Sequence, residues 1–360
     1  MQSEQAFLAL IRAGLWQTDP SIRPFIGLTA GQWEEVYAMS RRQTVSGICY
    51  DALTRLPDPL LPPDELLTRW VARVNAIEKT NMLMARSTAR LVAFMQEAGL
   101  HPVVQKGLSV GRHYPSPSLR EAGDIDLWFP EEELRKAVAA VRRLGKEVKS
   151  HPDRSYSFTH DGFVVEIHRK LINLGNPSAA ASLRSLIACE KTHTAATHEG
   201  DLPVLSPLLE MLLIDVHIMR HSFGMGIGLR QICDYAISAA RLHGLYSPDD
   251  FRRACHTFGI SRWTAMLNDF VISYLDTPAD VLPDSGYTGR HDDPAALIDI
   301  VREGGNFGHY LPTRRSILSP RMRSKLHTFV LIVRRSRFAA RMAPREALWS
   351  FLRLILGQVH

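Results

Sequence analysis

No two cysteines in this chain are spaced as CxxC; Cys49, Cys189, Cys233 and Cys255 are scattered along it. That excludes a zinc knuckle, a dithiol redox motif and a disulfide scaffold, and the thiols are expected as small buried hydrophobes in a reducing compartment. Long apolar runs are missing as well. The longest candidates, around Phe329–Val333 and Leu352–Leu356, are short and flanked by arginines, far from the roughly 20 residues of a membrane span. Glu4 precedes the first apolar run and no basic segment does, so a secretory signal is not expected. Neither a repeat period nor a low-complexity tract is present. What remains is a chain of 360 residues, 45% of them hydrophobic, which is enough for two or three domains and too apolar for disorder. A cytoplasmic location is expected.

Acidic residues are nearly absent from one end. Residues 311–360 contain 11 Lys and Arg against the single acid Glu346, so the net charge of +6 conceals a mildly acidic body with a basic end. Such an end suggests weak binding to an anionic surface. Apolar residues interleave the arginines at helical spacing, however, and C-terminal helices with solvated basic faces are the plainer expectation.

Along the chain, apolar spacings of three and four predict helices over Gln32–Leu56 and Glu65–Ala98, separated by a proline-rich loop, with Gly99 as a stop. Residues 101–205 differ. Pro102–Lys106 and Asp124–Phe129 read as strands, and Glu131–Leu144 as a helix. Ser155–His160 and Phe163–His168 flank Asp161-Gly162, a two-residue turn that favours positive φ and hence a type I′ hairpin. Helices return over 208–220, 229–243, 248–258, 262–274 and 294–302. The expected organisation is an N-terminal helical region (1–100), a small mixed-sheet core (101–205) and a C-terminal helical region with a basic end (206–360). The fold class is α+β.

Chemistry concentrates in the core. With Asp161-Gly162 as the turn, Ser157 falls opposite Glu166 and Ser155 opposite His168. Side-chain alternation then puts Glu166 and His168 on a polar face, and Val165 and Ile167 on an apolar one. Asp124 and Asp126, at i and i+2 within an apolar strand, are expected on one face too. Two adjacent carboxylates repel unless a cation sits between them, and a hard divalent ion carrying phosphate oxygens is suited to that position. If the Glu166 strand lies beside the Asp124 strand, a third carboxylate completes a two-metal site.

These residues, together with Lys106-Gly107, Tyr114-Pro115, Arg120, Gly123, Leu127, Arg230, Gln231, Asp234 and Gly304–Gly308, resemble the signature of the uncharacterised bacterial nucleotidyltransferase family of the polymerase-β-like superfamily. The resemblance implies that Asp124 and Asp126 bind metal, and that Glu166 is a third ligand or the general base. It implies Mg²⁺ or Mn²⁺ as cofactor, an NTP as donor, and an acceptor that is a protein, small molecule, sugar or RNA. Where that superfamily has Gly-Ser, this chain has Lys106-Gly107-Leu108-Ser109. Lys106, Gly107, Ser109, Arg120 and His168 are thus the candidates for holding the nucleotide, Lys106 by charge and Gly107 by close backbone approach. Transfer of an NMP to an acceptor hydroxyl with release of pyrophosphate is the expected activity. A degenerate nucleotide-binding protein, or a module recruited to anionic partners by its basic end, are the alternatives. His217 and His221 stand at i, i+4 without the glutamate of a zinc-protease motif or a third ligand, and read better as a cap or lining residues.

Overall fold

The computed structural model describes residues 1–151, 155–197, 199–224, 226–304 and 333–355. They form two compact units. The first comprises Met1–Arg41, Val45–Leu171 and Lys191–Ser206; the second comprises Arg42–Thr44, Ile172–Glu190 and the described part of Pro207–His360.

The first unit begins with helices α1 (Gln2–Trp16), α2 (Ala30–Arg42), α3 (Ser46–Leu53) and the long α4 (Asp64–Glu97). The single helix expected over Gln32–Leu56 is two helices. The break falls at Thr44, whose φ of 53° ends the helical backbone without a glycine or proline to announce it. A seven-stranded mixed sheet follows, in the order β3-β4-β5-β2-β1-β7-β6. Its strands are β1 (Val103–Gln105), β2 (Ile125–Trp128), β3 (Lys149–Ser150), β4 (Tyr156–His160), β5 (Phe163–His168), β6 (His193–Thr197) and β7 (Gly200–Val204). Between β1 and β2 lies the short helix α5 (Gly107–Gly111), and between β2 and β3 lies α6 (Leu134–Arg143), which starts three residues later than Glu131. This is the α+β class expected.

Asp161 and Gly162 both have positive φ, 50° and 86°, and the β4–β5 hairpin pairs Ser157 with Glu166. Both central residues of a type I′ turn need positive φ, so the turn fixes the register and the register fixes the faces. On one face Val104, Ile125, Leu127, Phe158, Val165 and Ile167 join Met84, Leu91, Val92 and Met95 of α4 and Leu134, Ala137 and Val141 of α6 in one apolar core. Burying each of the larger side chains stabilises by about 1.5–3 kcal/mol. The opposite face carries Gln105, Asp126, Glu166 and Ser157.

Helices α7 (Pro177–Cys189), α8 (Pro207–Phe223), α9 (Leu229–Leu242), α10 (Pro248–Phe258), α11 (Ser261–Leu275) and α12 (Ala295–Gly304) build the second unit, with helical residues 333–342 and Pro344–Ile355. Glu346, the one acid of the basic end, is buried and accepts hydrogen bonds from the backbone N–H groups of Gly175 (2.6 Å) and Asn176 (2.8 Å). Much of the basic end, and Gly305–Gly308 of the glycine motif, lie outside the described residues. All four cysteines are free; Cys49, Cys233 and Cys255 are buried as expected, whereas Cys189 is exposed at the end of α7.

Asp215 of α8 is wholly buried, with Oδ1 accepting from Trp263 Nε1 and Oδ2 from Thr264 Oγ1, both at 2.6 Å. Burial pushes its carboxyl up to about 7 despite those two bonds. A carboxyl raised in the fold above its unfolded value of about 3.9 favours the protonated folded state. Stability therefore falls as pH rises from about 4 to 7, and is lowest above that window. Asp215→Asn keeps an acceptor for Trp263 and can donate to Thr264, whose hydroxyl also lies 3.2 Å from the Ile260 carbonyl. Thermal melts across that range are expected to show Asp215→Asn with a flatter pH dependence and, above pH 7, greater stability than the natural chain.

Candidate active site

Strands β2 and β5 run parallel, with Asp126 paired to Glu166 and Trp128 to His168. On the other side of β2, antiparallel β1 pairs Gln105 with Asp126. Directly paired residues share a sheet face, so Gln105, Asp126, Glu166 and Ser157 form a row across four strands. His168 stands one pleat further along the same face.

Asp126 is the centre of this row and is only 5% exposed. Its Oδ1 accepts a hydrogen bond from Lys106 Nζ at 2.9 Å and lies 2.5 Å from His168 Nε2. The same imidazole nitrogen is 3.5 Å from Glu166 Oε2. Burial by itself would raise the Asp126 carboxyl, but the Lys106 charge and the hydrogen bond with His168 outweigh it, and its pKa lies well below the usual carboxylate range. Burial would likewise lower the Lys106 ammonium; Asp126 above all, with Asp124 and Glu166 behind it, holds it above its ordinary value instead.

Lys106 reaches this position through its backbone. It caps α5 at φ 51° and ψ −133°, a region where a residue with a side chain is strained by about 1–3 kcal/mol. The turn sends the chain from β1 straight into α5 while keeping the ammonium over β2. The next residue packs closely: a Cβ at Gly107 would sit 3.2 Å from the Asp124 carbonyl oxygen, so a larger residue would need that backbone to shift by a few tenths of an ångström.

Of the expected residues, Lys106, Asp126, Glu166 and His168 come together. Asp124 lies just ahead of β2 rather than inside it, and it acts on the Lys106 charge. Asp126, Glu166 and His168 each offer a donor atom within 4.8 Å of the others. Carboxylate oxygens and a nitrogen at that spacing fit a divalent cation. Among the described residues no such group includes His217 or His221, whose rings pack 4.4 Å apart on α8. Ser109 is buried, and its hydroxyl accepts from Arg112 at 2.7 Å. Arg120 is 5% exposed, and a Cβ at Gly111 would lie 3.5 Å from its Cδ, so its stem runs along α5. The loop that carries it is clamped from α4: Asn81 Nδ2 donates to the carbonyls of Ser118 (2.6 Å) and Arg120 (2.9 Å). Glu121 ties the same loop to the N-terminus of α3 by accepting from Ser46 N at 2.9 Å.

Gln105 escaped sequence reasoning. It is 1% exposed, and neither its Oε1 nor its Nε2 has a partner among the described residues. A buried amide without partners costs about 1–3 kcal/mol. A glutamine ending a Val-Val strand gives no sequence signal of this; only the pairing with Asp126 does.

The class and the family follow from comparison with known proteins. Residues 29–267 match the model of the family described as "Uncharacterised nucleotidyltransferase". That span is most of the chain and contains every strand of the sheet, so the protein is a nucleotidyltransferase and belongs to this family. No curated protein matches it. The crystal structure of an antigenic nucleotidyltransferase-like protein from Paracoccidioides brasiliensis is similar at 10% identity and a TM-score of 0.33, covering 54% of this chain and 92% of the other. No helix among the described residues is long and apolar enough to cross a membrane.

The orphaned amide yields a test. Gln105→Met fills a similar volume without unpaired polar atoms, so a higher melting temperature for the ligand-free protein is expected. Nucleotide affinity, measured by calorimetry, is expected to fall in the same variant.

Proposed function

We propose that the polar sheet face transfers an NMP from an NTP to an acceptor hydroxyl, releasing pyrophosphate, with a divalent cation bound by the carboxylates. The observation that carries this is the row of Gln105, Asp126 and Glu166 across three strands, with Lys106 and His168 converging on Asp126. Asp126 and Glu166, assisted by Asp124, would hold the cation, which when bound supplies charge neutralisation to the phosphates and acidifies the acceptor hydroxyl. Lys106 would exchange Asp126 for a phosphate oxygen as the triphosphate arrives, and its raised pKa keeps it cationic for that role. Gly107 would admit the phosphates to the backbone of the strand–helix turn, with Ser109 and Arg120 supporting that turn and the loop facing it.

Glu166 would take the acceptor proton as the hydroxyl oxygen attacks the α-phosphorus. The bond from that phosphorus to the bridging oxygen breaks, and the electron pair leaves with pyrophosphate. Positioning and fixed charges would supply most of the acceleration. NTP as donor and free thiols both suit a cytoplasmic enzyme, and the acceptor is a hydroxyl of a protein, sugar, small molecule or RNA. Binding without turnover is the competing reading, and it draws on Ser109, whose hydroxyl is engaged by Arg112.

Pyrophosphate release from labelled NTPs, in the presence of a cell extract as the source of acceptor, tests this. Asp126→Asn is expected to abolish release. Glu166→Gln is expected to keep nucleotide binding and lose on the order of 10²-fold or more in turnover, as for a general base. Lys106→Ala should act mainly on binding. Nucleotide binding by the natural chain with no release under any of these conditions would favour the competing reading. Removing Lys106 also takes the ammonium from a buried carboxylate and leaves it only His168 as partner, so Lys106→Ala is expected to melt lower than the natural chain without divalent cation and to recover when cation is added.

A further inference from the structure

We propose that His168 is a nitrogen ligand of the bound cation and that it makes the site select Mn²⁺ over Mg²⁺. This rests on the reading that the face works with a divalent cation, and it adds which cation and why. Three observations carry it.

The first is aim. His168 Nε2 faces two carboxylates at once, 2.5 Å from Asp126 Oδ1 and 3.5 Å from Glu166 Oε2. A ring nitrogen directed into two anions is positioned to share a cation with them. The second is placement by the sheet. His168 follows Glu166 by two residues on β5 and pairs with Trp128 of β2, so strand geometry, not a loop, holds it on the carboxylate face. The third is the donor set. Among the described residues, the group close enough to share one ion is Asp126, Glu166 and His168, two oxygens and one nitrogen.

That composition decides between ions. Mg²⁺ takes oxygen ligands and dehydrates reluctantly. Imidazole nitrogen belongs with first-row transition ions, while carboxylate and water suit Mn²⁺ as well as Mg²⁺. Both ions accept the two carboxylates, and Mn²⁺, though the weakest of the first-row ions for nitrogen, takes an imidazole more readily than Mg²⁺ does, so the third ligand sets the preference. On the β2 side of His168's cross-strand row, Trp128 and Val103 offer no ligand atom to such an ion.

The test uses the full chain, uniformly ¹⁵N-labelled and stripped of metal, with and without an unlabelled non-hydrolysable NTP analogue. Mn²⁺ binding is followed by the loss of the free-ion electron paramagnetic resonance signal, with Mg²⁺ as competitor, and pulsed spectra of the bound ion report the nuclei beside it. Labelling separates protein nitrogen from nucleotide nitrogen. We expect a ¹⁵N coupling to bound Mn²⁺ and Mn²⁺ affinity about tenfold or more above that of Mg²⁺. In His168→Gln the coupling should vanish and the two affinities should converge, most of the loss falling on Mn²⁺. The coupling in the natural chain tests the ligand assignment even if that variant folds poorly. Bound Mn²⁺ without protein nitrogen coupling, displaced by equal Mg²⁺, would overturn this inference and leave metal-dependent transfer standing. No bound cation, with or without nucleotide, would overturn both.

Discussion

Everything at the site depends on one pairing, the parallel ladder between β2 and β5. Paired residues of those strands are 40 apart along the chain, and the register sets Asp126 beside Glu166 and Trp128 beside His168. Side chains alternate every residue, so a slip of one position would turn Glu166 and His168 into the core and bring Val165 and Ile167 out of it. The wholly buried Val165 and Ile167 therefore guard the register, because any slip would expose them to water. The chemistry of one face is held in place by the burial of the other.

Around that ladder the chain accepts local costs. Lys106 sits in a backbone conformation that glycine favours, Asp126 is buried as an anion, and the Gln105 amide has no partner among the described residues. Local rules are broken most often where function needs them broken, and these three residues adjoin one another. The Asp126 charge is compensated within the fold by Lys106 and His168. The Gln105 amide, on the same sheet face, is not compensated among the described residues.

How much of this the sequence discloses varies with the range of the interaction. The β4–β5 hairpin is legible to the residue, because Asp161-Gly162 dictates both turn and register. The long helix α4 is legible from its apolar spacing. The β6–β7 hairpin is not: His193–Thr197 is built of small and polar residues, mostly exposed, without alternation to mark it as a strand. The break at Thr44 carries no glycine or proline. At the site, Asp126, Glu166 and His168 stand out as residue types in strands, but their adjacency is a long-range pairing that no local signal encodes. Gln105 is invisible for the same reason, since its importance lies wholly in the neighbour that β2 gives it.

On the proposed function, this polar face is where the nucleotide binds and reacts. A crystal structure of the chain with Mn²⁺ and an NTP analogue that cannot be cleaved between the α- and β-phosphates tests it most directly. The α-phosphate is expected over Asp126 and Glu166, with Lys106 on a phosphate oxygen and a new partner for the Gln105 amide. A nucleotide bound elsewhere, with Lys106 still on Asp126 and Gln105 still alone, would contradict it.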